Sequence, residues 1–179
     1  MRVSGDRRRI VAFSGRSNVG KSSLVNRLLG MEVARVSRQP GCTRMIRIYE
    51  AEGYQIADLP GYGYAAVSHT ERKRWQWEVQ EFLLAYRPMI WVLVDSRLSP
   101  QRLDLAWVAW LEQKGLVYGI LATKADLLTQ KQRHHQHKVL SSAYTRSWRM
   151  SFISARSGEG VAQLHEWNLA WFSYAESNL

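Results

Sequence analysis

The chain has one cysteine, Cys42, in 179 residues, so no disulfide can form within it and a stapled secreted scaffold is excluded. Long hydrophobic runs are also missing. The longest apolar stretch, Met89 to Val94, has the length of a strand. A signal-peptide core needs about 7–15 apolar residues and a membrane-spanning helix about 20. Near the N-terminus only Ile10 to Phe13 form an apolar run. A reducing cytoplasm and no membrane partner are therefore expected. Acidic residues are scarce, with 15 Asp and Glu against 25 Lys and Arg, for a formal net charge of +10. That excess points to phosphate or nucleic acid, although solubility alone can use several units of charge. There is no internal repeat, no low-complexity linker and no nucleophile–base–acid triad. What the chain does have is 46% hydrophobic residues, enough for one domain-sized core and too many for a disordered chain.

Short apolar runs recur at Ile10–Phe13, Met89–Val94, Val117–Ala122 and Met150–Ile153. Runs that are apolar throughout suit parallel strands covered on both faces. Between them the spacing turns helical. In His69–Tyr86, Trp75, Val79, Phe82, Leu83 and Tyr86 recur at three and four, as one helix face requires. Pro100–Lys114, Thr129–Tyr144 and Gly158–Tyr174 also read as helices. Met45–Glu50 and Tyr54–Asp58, joined through Ala51-Glu52-Gly53, read as a hairpin. The sum is one α/β domain over residues 9–179, behind a short basic segment, 1–8. It has a mostly parallel six-stranded sheet with one antiparallel strand and helices on both faces.

The sharpest motif is Gly15-Arg16-Ser17-Asn18-Val19-Gly20-Lys21-Ser22, a full match to G-x-x-x-x-G-K-[ST]. A strand precedes it, and the helix Ser22–Leu29 follows. Glycines let the backbone curl so that its N–H groups face phosphate oxygens, and the helix N-terminus adds positive partial charge. Lys21 would reach the β and γ phosphates and the Ser22 hydroxyl would ligate Mg²⁺. Kinases, ATPases and GTPases share this loop, so other segments must choose among them.

Thr123-Lys124-Ala125-Asp126 closes the strand Val117–Ala122. A carboxylate there can accept from the N1–H and the exocyclic amine of guanine, a donor pair that adenine lacks. The Lys124 stem can lie over the base. Some residues on, Ser154-Ala155-Arg156 follows another strand, where a backbone N–H can meet the guanine carbonyl. Asp58-Leu59-Pro60-Gly61 reads as D-x-x-G, with Asp58 holding Mg²⁺ through water and the Gly61 N–H sensing the γ phosphate. Thr43, in Gly41-Cys42-Thr43-Arg44, lies where a switch threonine closes on Mg²⁺. All these segments fall at the carboxyl ends of strands, where open α/β sheets bind ligands.

Gly15-Arg16-Ser17-Asn18-Val19-Gly20-Lys21-Ser22-Ser23, Pro40-Gly41-Cys42-Thr43, Asp58-Leu59-Pro60-Gly61-Tyr62-Gly63-Tyr64-Ala65 and Thr123-Lys124-Ala125-Asp126 together resemble the EngB (YihA/YsxC) family of bacterial ribosome-biogenesis GTP-binding proteins, in the translation-factor class of P-loop GTPases. The run from Pro60 to Ala65 is the most family-specific. The resemblance extends over nearly the whole chain. It implies a Ras-like GTPase domain and a GTP/GDP-switched monomer that helps assemble the large ribosomal subunit, with the ribosomal subunit or its RNA as partner. The chain departs from the family in its short N-terminal segment, in Gly-Cys-Thr-Arg around Thr43, and in Ser-Ala-Arg as its last motif.

Ras-like enzymes orient the attacking water with a Gln directly after D-x-x-G. Tyr62 stands there and has no amide. Lys21 is the one catalytic candidate and no general base is evident, so slow intrinsic hydrolysis is expected, helped by a partner. Asn18 occupies the place that resembles the K⁺-holding Asn of potassium-activated GTPases; equally, Asn can simply shape the loop. A binding module in which hydrolysis is incidental stays open as an alternative. So does a P-loop phosphotransferase acting on a small molecule.

Most of the eight tryptophans fall on apolar stripes or strands and read as core. Trp77 lies about 200° around its helix from Trp75, beside Lys73, Arg74 and Glu81. It is either a surface aromatic for an RNA base or protein contact, or it is buried against a neighbouring helix, the default reading. His134 and His137 are three apart on a helix, but a solvated basic face outweighs a zinc site. Residues 1–50 carry 11 Lys and Arg against 3 Asp and Glu, and residues 51–179 carry 14 against 12. The excess charge thus sits in the segment with the phosphate loop and first switch.

Overall fold

The computed structural model describes residues 9–31, 45–63 and 69–177. Six strands form one sheet in the order β2-β3-β1-β4-β5-β6. They are β1 (Ile10–Gly15), β2 (Arg47–Ala51), β3 (Tyr54–Asp58), β4 (Met89–Asp95), β5 (Tyr118–Thr123) and β6 (Met150–Phe152). Only the β2–β3 pair is antiparallel. The expected Ras-like α/β sheet is therefore the observed one. The helices are α1 (Lys21–Leu29), α2 (His69–Tyr86), α3 (Arg102–Gln113), α4 (Gln130–Ala143) and α5 (Val161–Ser177).

The pleat sends alternate residues to opposite faces. On β1, Ile10 and Ala12 join a core with Val79 and Leu83 of α2, Val108 and Leu111 of α3, and Leu140 of α4. Val11 and Phe13 join a second core with Leu24 and Val25 of α1 and Leu164 and Phe172 of α5. Both faces are covered, which is why these strands are apolar without alternation. Trp91 is the largest side chain of the second core. It is fully buried, it donates Nε1–H to Asn168 Oδ1 at 2.7 Å, and it stacks on Trp167. Its ring fits because Gly119, its neighbour on β5, has no Cβ; one placed there would lie 2.2 Å from Trp91 Cζ3.

Several boundaries differ from those expected. The hairpin's first strand starts at Arg47 rather than Met45, which is exposed. β5 starts at Tyr118 and runs through Thr123, because Val117 faces solvent. Thr129 is the N-cap of α4 in a capping box with Gln132, not its first residue. On α2, Tyr86 leaves the apolar stripe and packs on Phe82 at the surface. The burial expected for Trp77 is corrected: it is 62% exposed, because the buried stripe of α2 runs through Val79 and Leu83 and leaves it on the other side. The side chain of Trp75 lies outside the described residues. Among the described residues no cluster of His, Cys, Asp or Glu could hold a metal, and His137 stacks on Phe152. Nor is any described helix long and apolar enough to cross a membrane.

Candidate nucleotide site

The phosphate loop begins inside β1. Gly15 pairs with Leu93 of β4, and a Cβ on it would lie 2.8 Å from the Leu93 carbonyl oxygen and 2.9 Å from Val19 Cγ1. Only glycine lets the loop leave the sheet so close to its neighbour. Asn18 takes the left-handed conformation at φ 64°, which Asn tolerates well. Gly20, at φ 103°, caps α1. α1 starts at Lys21, so Ser22 and Ser23 lie in its first turn, where backbone N–H groups face the loop.

Lys21 is buried and pairs with Asp58 Oδ1 at the end of β3. Asp58 Oδ2 is buried as well and has no hydrogen-bond partner. Two oppositely charged groups out of water hold each other, and the free oxygen faces a need that a cation or water would meet.

After Asp58 the chain continues alongside the phosphate loop. The Leu59 N–H donates to the Phe13 carbonyl at 3.1 Å, the Tyr62 N–H to the Gly15 carbonyl at 3.2 Å, and the Ser17 N–H to the Tyr62 carbonyl at 3.1 Å. Gly61 lies against Ser17, where a Cβ would sit 3.2 Å from the Ser17 amide nitrogen. The Tyr62 side chain turns away from the loop. Its ring packs on Trp107 and its hydroxyl donates to Asp104 Oδ1 at 2.8 Å, both on α3. Burial raises the pKa of Tyr62 well above its ordinary value, and the Asp104 carboxylate adds to this. Burial also raises that of Asp104, while the Tyr62 bond and the Arg16 charge oppose it. Tyr62 thus contacts α3.

The Thr123-Lys124-Ala125-Asp126 segment braces the loop from the other side. Thr123 Oγ1 lies 2.7 Å from the Val19 carbonyl and 3.0 Å from the Val94 carbonyl. The Lys124 Nζ donates to the Asn18 carbonyl at 3.0 Å and to Asp95 Oδ2 at 2.8 Å. Burial would raise the Asp95 pKa, but hydrogen bonds from Arg97 and Lys124 override it and hold the carboxyl well below the usual range. Asp126 Oδ1 accepts from Ser154 Oγ at 2.6 Å, and Ser154 Oγ accepts from the Ser157 N–H at 3.1 Å. The Ser154 N–H is engaged by the Glu159 carbonyl.

The structure places Gly15 to Ser23, Asp58 to Gly61, Thr123 to Asp126 and Ser154-Ala155 around the phosphate loop. Gly41, Cys42, Thr43 and Arg44 lie outside the described residues, as do Tyr64, Ala65 and the arginines at 2, 7, 8, 35, 38 and 44. Asp95, Gln101 and Asp104 were missed from sequence. With Arg16, Asn18 and Lys124 they line a cleft of about 240 Å³ beside the phosphate loop, and Arg16 Nη1 donates to Gln101 Oε1 at 3.2 Å. A carboxylate closing the buried run Met89–Val94 was the available signal for Asp95. Nothing local marks Asp104, which reaches Tyr62 across 42 positions of sequence.

A phosphate loop braced on one flank by a Lys-x-Asp segment and on the other by D-x-x-G is the arrangement of a Ras-like P-loop GTPase. Residues 10–124 match the family model described as "50S ribosome-binding GTPase". The chain is 41% identical to the probable GTP-binding protein EngB of Pelotomaculum thermopropionicum, over 87% of this chain and 82% of that protein. It is 39% identical to the corresponding protein of Thermotoga maritima, over 86% and 82%. A crystal structure of a probable GTP-binding protein EngB superposes with a TM-score of 0.73 at 24% identity, over 88% of this chain and 95% of that one. Era in complex with MgGDPNP and a segment of 16S ribosomal RNA superposes at 0.76 and 22% identity, over 90% and 55%; these two show the shared fold. The chain belongs to the EngB family of GTP-binding proteins and is a GTPase, converting GTP to GDP and phosphate.

Proposed function

We propose that this GTPase uses its nucleotide state to gate binding to ribosomal assembly intermediates of the large subunit, with slow hydrolysis in isolation. The observation that carries the switch is the backbone of Gly61 and Tyr62 seated on the phosphate loop. The Ser17 N–H can serve the Tyr62 carbonyl or a phosphoryl oxygen, not both, so a γ phosphate and the seated segment compete.

In this reading Asp126 accepts from the two guanine donors and Lys124 lies along the base. The Ala155 N–H meets the guanine carbonyl, because that of Ser154 is already engaged. The backbone from Arg16 to Ser23 cradles the phosphates, with Lys21 on the β and γ groups. Mg²⁺ fits the donor set: the unpartnered Asp58 Oδ2, acting through water, and the Ser22 hydroxyl would hold it, joined by Thr43. When bound, Mg²⁺ offsets charge on the phosphates. K⁺ at Asn18 is a further possibility of the same site. The loop-shaping role has the support of φ 64° and of the carbonyl that receives Lys124. Tyr62 is turned into α3, so its side chain does not orient the water, which supports slow unassisted turnover.

A ribosomal or RNA partner is supported by the family description and by the basic excess in residues 1–50. That partner places the protein in the cytoplasm. Co-sedimentation with ribosomal subunits, run with GDP, with a GTP analogue and without nucleotide across a salt series, tests it. Binding that depends on the nucleotide and falls steeply with salt is expected. Equal binding in all three states refutes the gate. Ribosome-stimulated hydrolysis separates the switch from a binding module in which hydrolysis is incidental. ATP displacing GTP at comparable concentration would favour the phosphotransferase.

A further inference from the structure

Two loops carry the base contacts proposed above, and one arginine outside every motif joins them. Arg133 sits one turn into α4, whose start is fixed by the Thr129–Gln132 capping box. Its side chain reaches back toward the sheet. Nη1 pairs with Glu159 Oε1, and Nη2 donates to Glu159 Oε2 at 2.9 Å, so the contact is bidentate. The same Nη2 donates to the Ala125 carbonyl at 2.6 Å. Ala125 immediately precedes Asp126. Glu159 closes the loop that begins at Ser154, because its carbonyl accepts from the Ser154 N–H at 3.0 Å. Ser154 in turn holds Asp126 by its hydroxyl. Asp126 is thus held through its main chain and through its carboxylate, and both routes end on Arg133.

We propose that Arg133, paired with Glu159, is a positioning residue for guanine specificity: it fixes the Thr123–Asp126 loop against the Ser154–Glu159 loop so that the Asp126 carboxylate meets both donors of the base. This rests on the guanine assignment of Asp126. The chemistry explains why an arginine is used. A guanidinium presents a rigid fork that satisfies a carboxylate bidentately and leaves an N–H for a carbonyl, whereas an ammonium is a point charge without fixed geometry. A two-donor contact needs that rigidity, because a small rotation of the carboxylate keeps one hydrogen bond and loses the other.

The test compares dissociation constants for GDP and for inosine diphosphate, which lacks only the exocyclic amine. The wild type is expected to prefer GDP by about tenfold or more, the factor that one hydrogen bond to a charged group supports. Arg133→Ala is expected to weaken GDP and to bring the two constants within about threefold. Arg133→Lys should fall between. A merely structural role would weaken both nucleotides equally and keep the ratio, and that result overturns the proposal. If Arg133→Ala does not fold, Glu159→Gln is read by the same ratio, with a decrease supporting the clamp and an unchanged ratio overturning it. ADP is the control for the underlying assignment. A wild type that binds ADP as tightly as GDP overturns the guanine reading itself. A wild type that discriminates, with variants that keep its ratio, overturns the clamp alone.

Discussion

Removing the hydroxyl of Tyr62 probes how the segment after Gly61 is held. Tyr62→Phe keeps the ring against Trp107 and deletes only the donor to Asp104 Oδ1. Asp104 is 2% exposed, so water does not replace that donor. A hydrogen bond to a buried charged group contributes about 1.5–3 kcal/mol, which for a domain of this length lowers the melting temperature by roughly 3–12 °C. The loss carries a pH signature. Burial raises the Asp104 pKa and the Tyr62 bond opposes this. A group with a raised folded pKa stabilises the fold below its unfolded pKa and loses that contribution as the pH climbs through the folded one. Deleting the donor lifts the folded pKa further. The deficit of the variant therefore grows from acid toward neutral pH and shrinks as the pH falls toward about 4, the ordinary range of Asp. Thermal melts of both proteins from acid to neutral pH measure this. A deficit below about 0.5 kcal/mol, within the scatter of neutral surface changes, or one that does not vary with pH, refutes the reasoning. Asp104→Asn gives the opposite sign. Its amide oxygen still accepts from Tyr62 and no carboxylate is desolvated, so at neutral pH it should be at least as stable as the wild type.

Other perturbations have equally definite outcomes. Asp95→Asn removes a carboxylate held well below its usual pKa by Arg97 and Lys124; it should cost about 1–2 kcal/mol in denaturant titrations above about pH 4, with the difference fading in more acidic buffer, and a uniform loss at every pH contradicts it. The same variant releases Lys124 from one of its two acceptors, so GDP should dissociate faster in a stopped-flow chase. Asp126→Asn replaces the proposed acceptor of the base by a donor; GDP affinity should fall roughly 100-fold and xanthosine diphosphate should gain, by competition binding. Gly119→Ala drives a methyl into the buried Trp91 ring. It should cost about 3 kcal/mol or more in chemical denaturation, and a wild-type midpoint would contradict the packing.

The parts of the site that could be read from the sequence are those whose chemistry and backbone coincide. Gly15, Gly20 and Lys21 are marked because a phosphate loop needs glycine and lysine at that spacing, and the strand and helix around it are visible as pattern. Asp58 and Asp126 are marked because each closes a strand or the turn just after one. Asp104, Arg133 and Glu159 could not be found that way. Each lies on or beside a helix among ordinary polar residues, and its role exists only once α3, α4 and the loop after β6 are brought to the edge of the sheet. Helix faces were legible where the partner is the sheet, as for Val79 and Leu83. They failed at Tyr86, where a 3.6-residue period admits more apolar positions than the core has room for, whereas at Trp77 the period placed the ring off the stripe and only the default expectation of burial failed.

The proposed switch and the base pocket differ in how firmly they are built, and that difference lets one move while the other holds. The segment at Gly61–Tyr62 is seated by two main-chain hydrogen bonds and one to Asp104. At about 0.5–1.5 kcal/mol for each of the first two and about 1.5–3 for the last, the seat is worth roughly 2.5–6 kcal/mol. Moving a two-state equilibrium from 1:99 to 99:1 takes about 5.5 kcal/mol of differential binding. The two figures are of one size, so in the proposed switch a γ phosphate that binds the unseated form better by that amount would move the segment. The base side has no such balance. Thr123 continues the β5 pairing with Asp95 and bonds the Val19 carbonyl, Lys124 bonds Asn18 and Asp95, and Ser154 and Arg133 hold the flanking loops. Displacing it would break more bonds than one phosphoryl group can offset. In the proposed switch the nucleotide is kept by its base while its terminal phosphate sets the position of Tyr62.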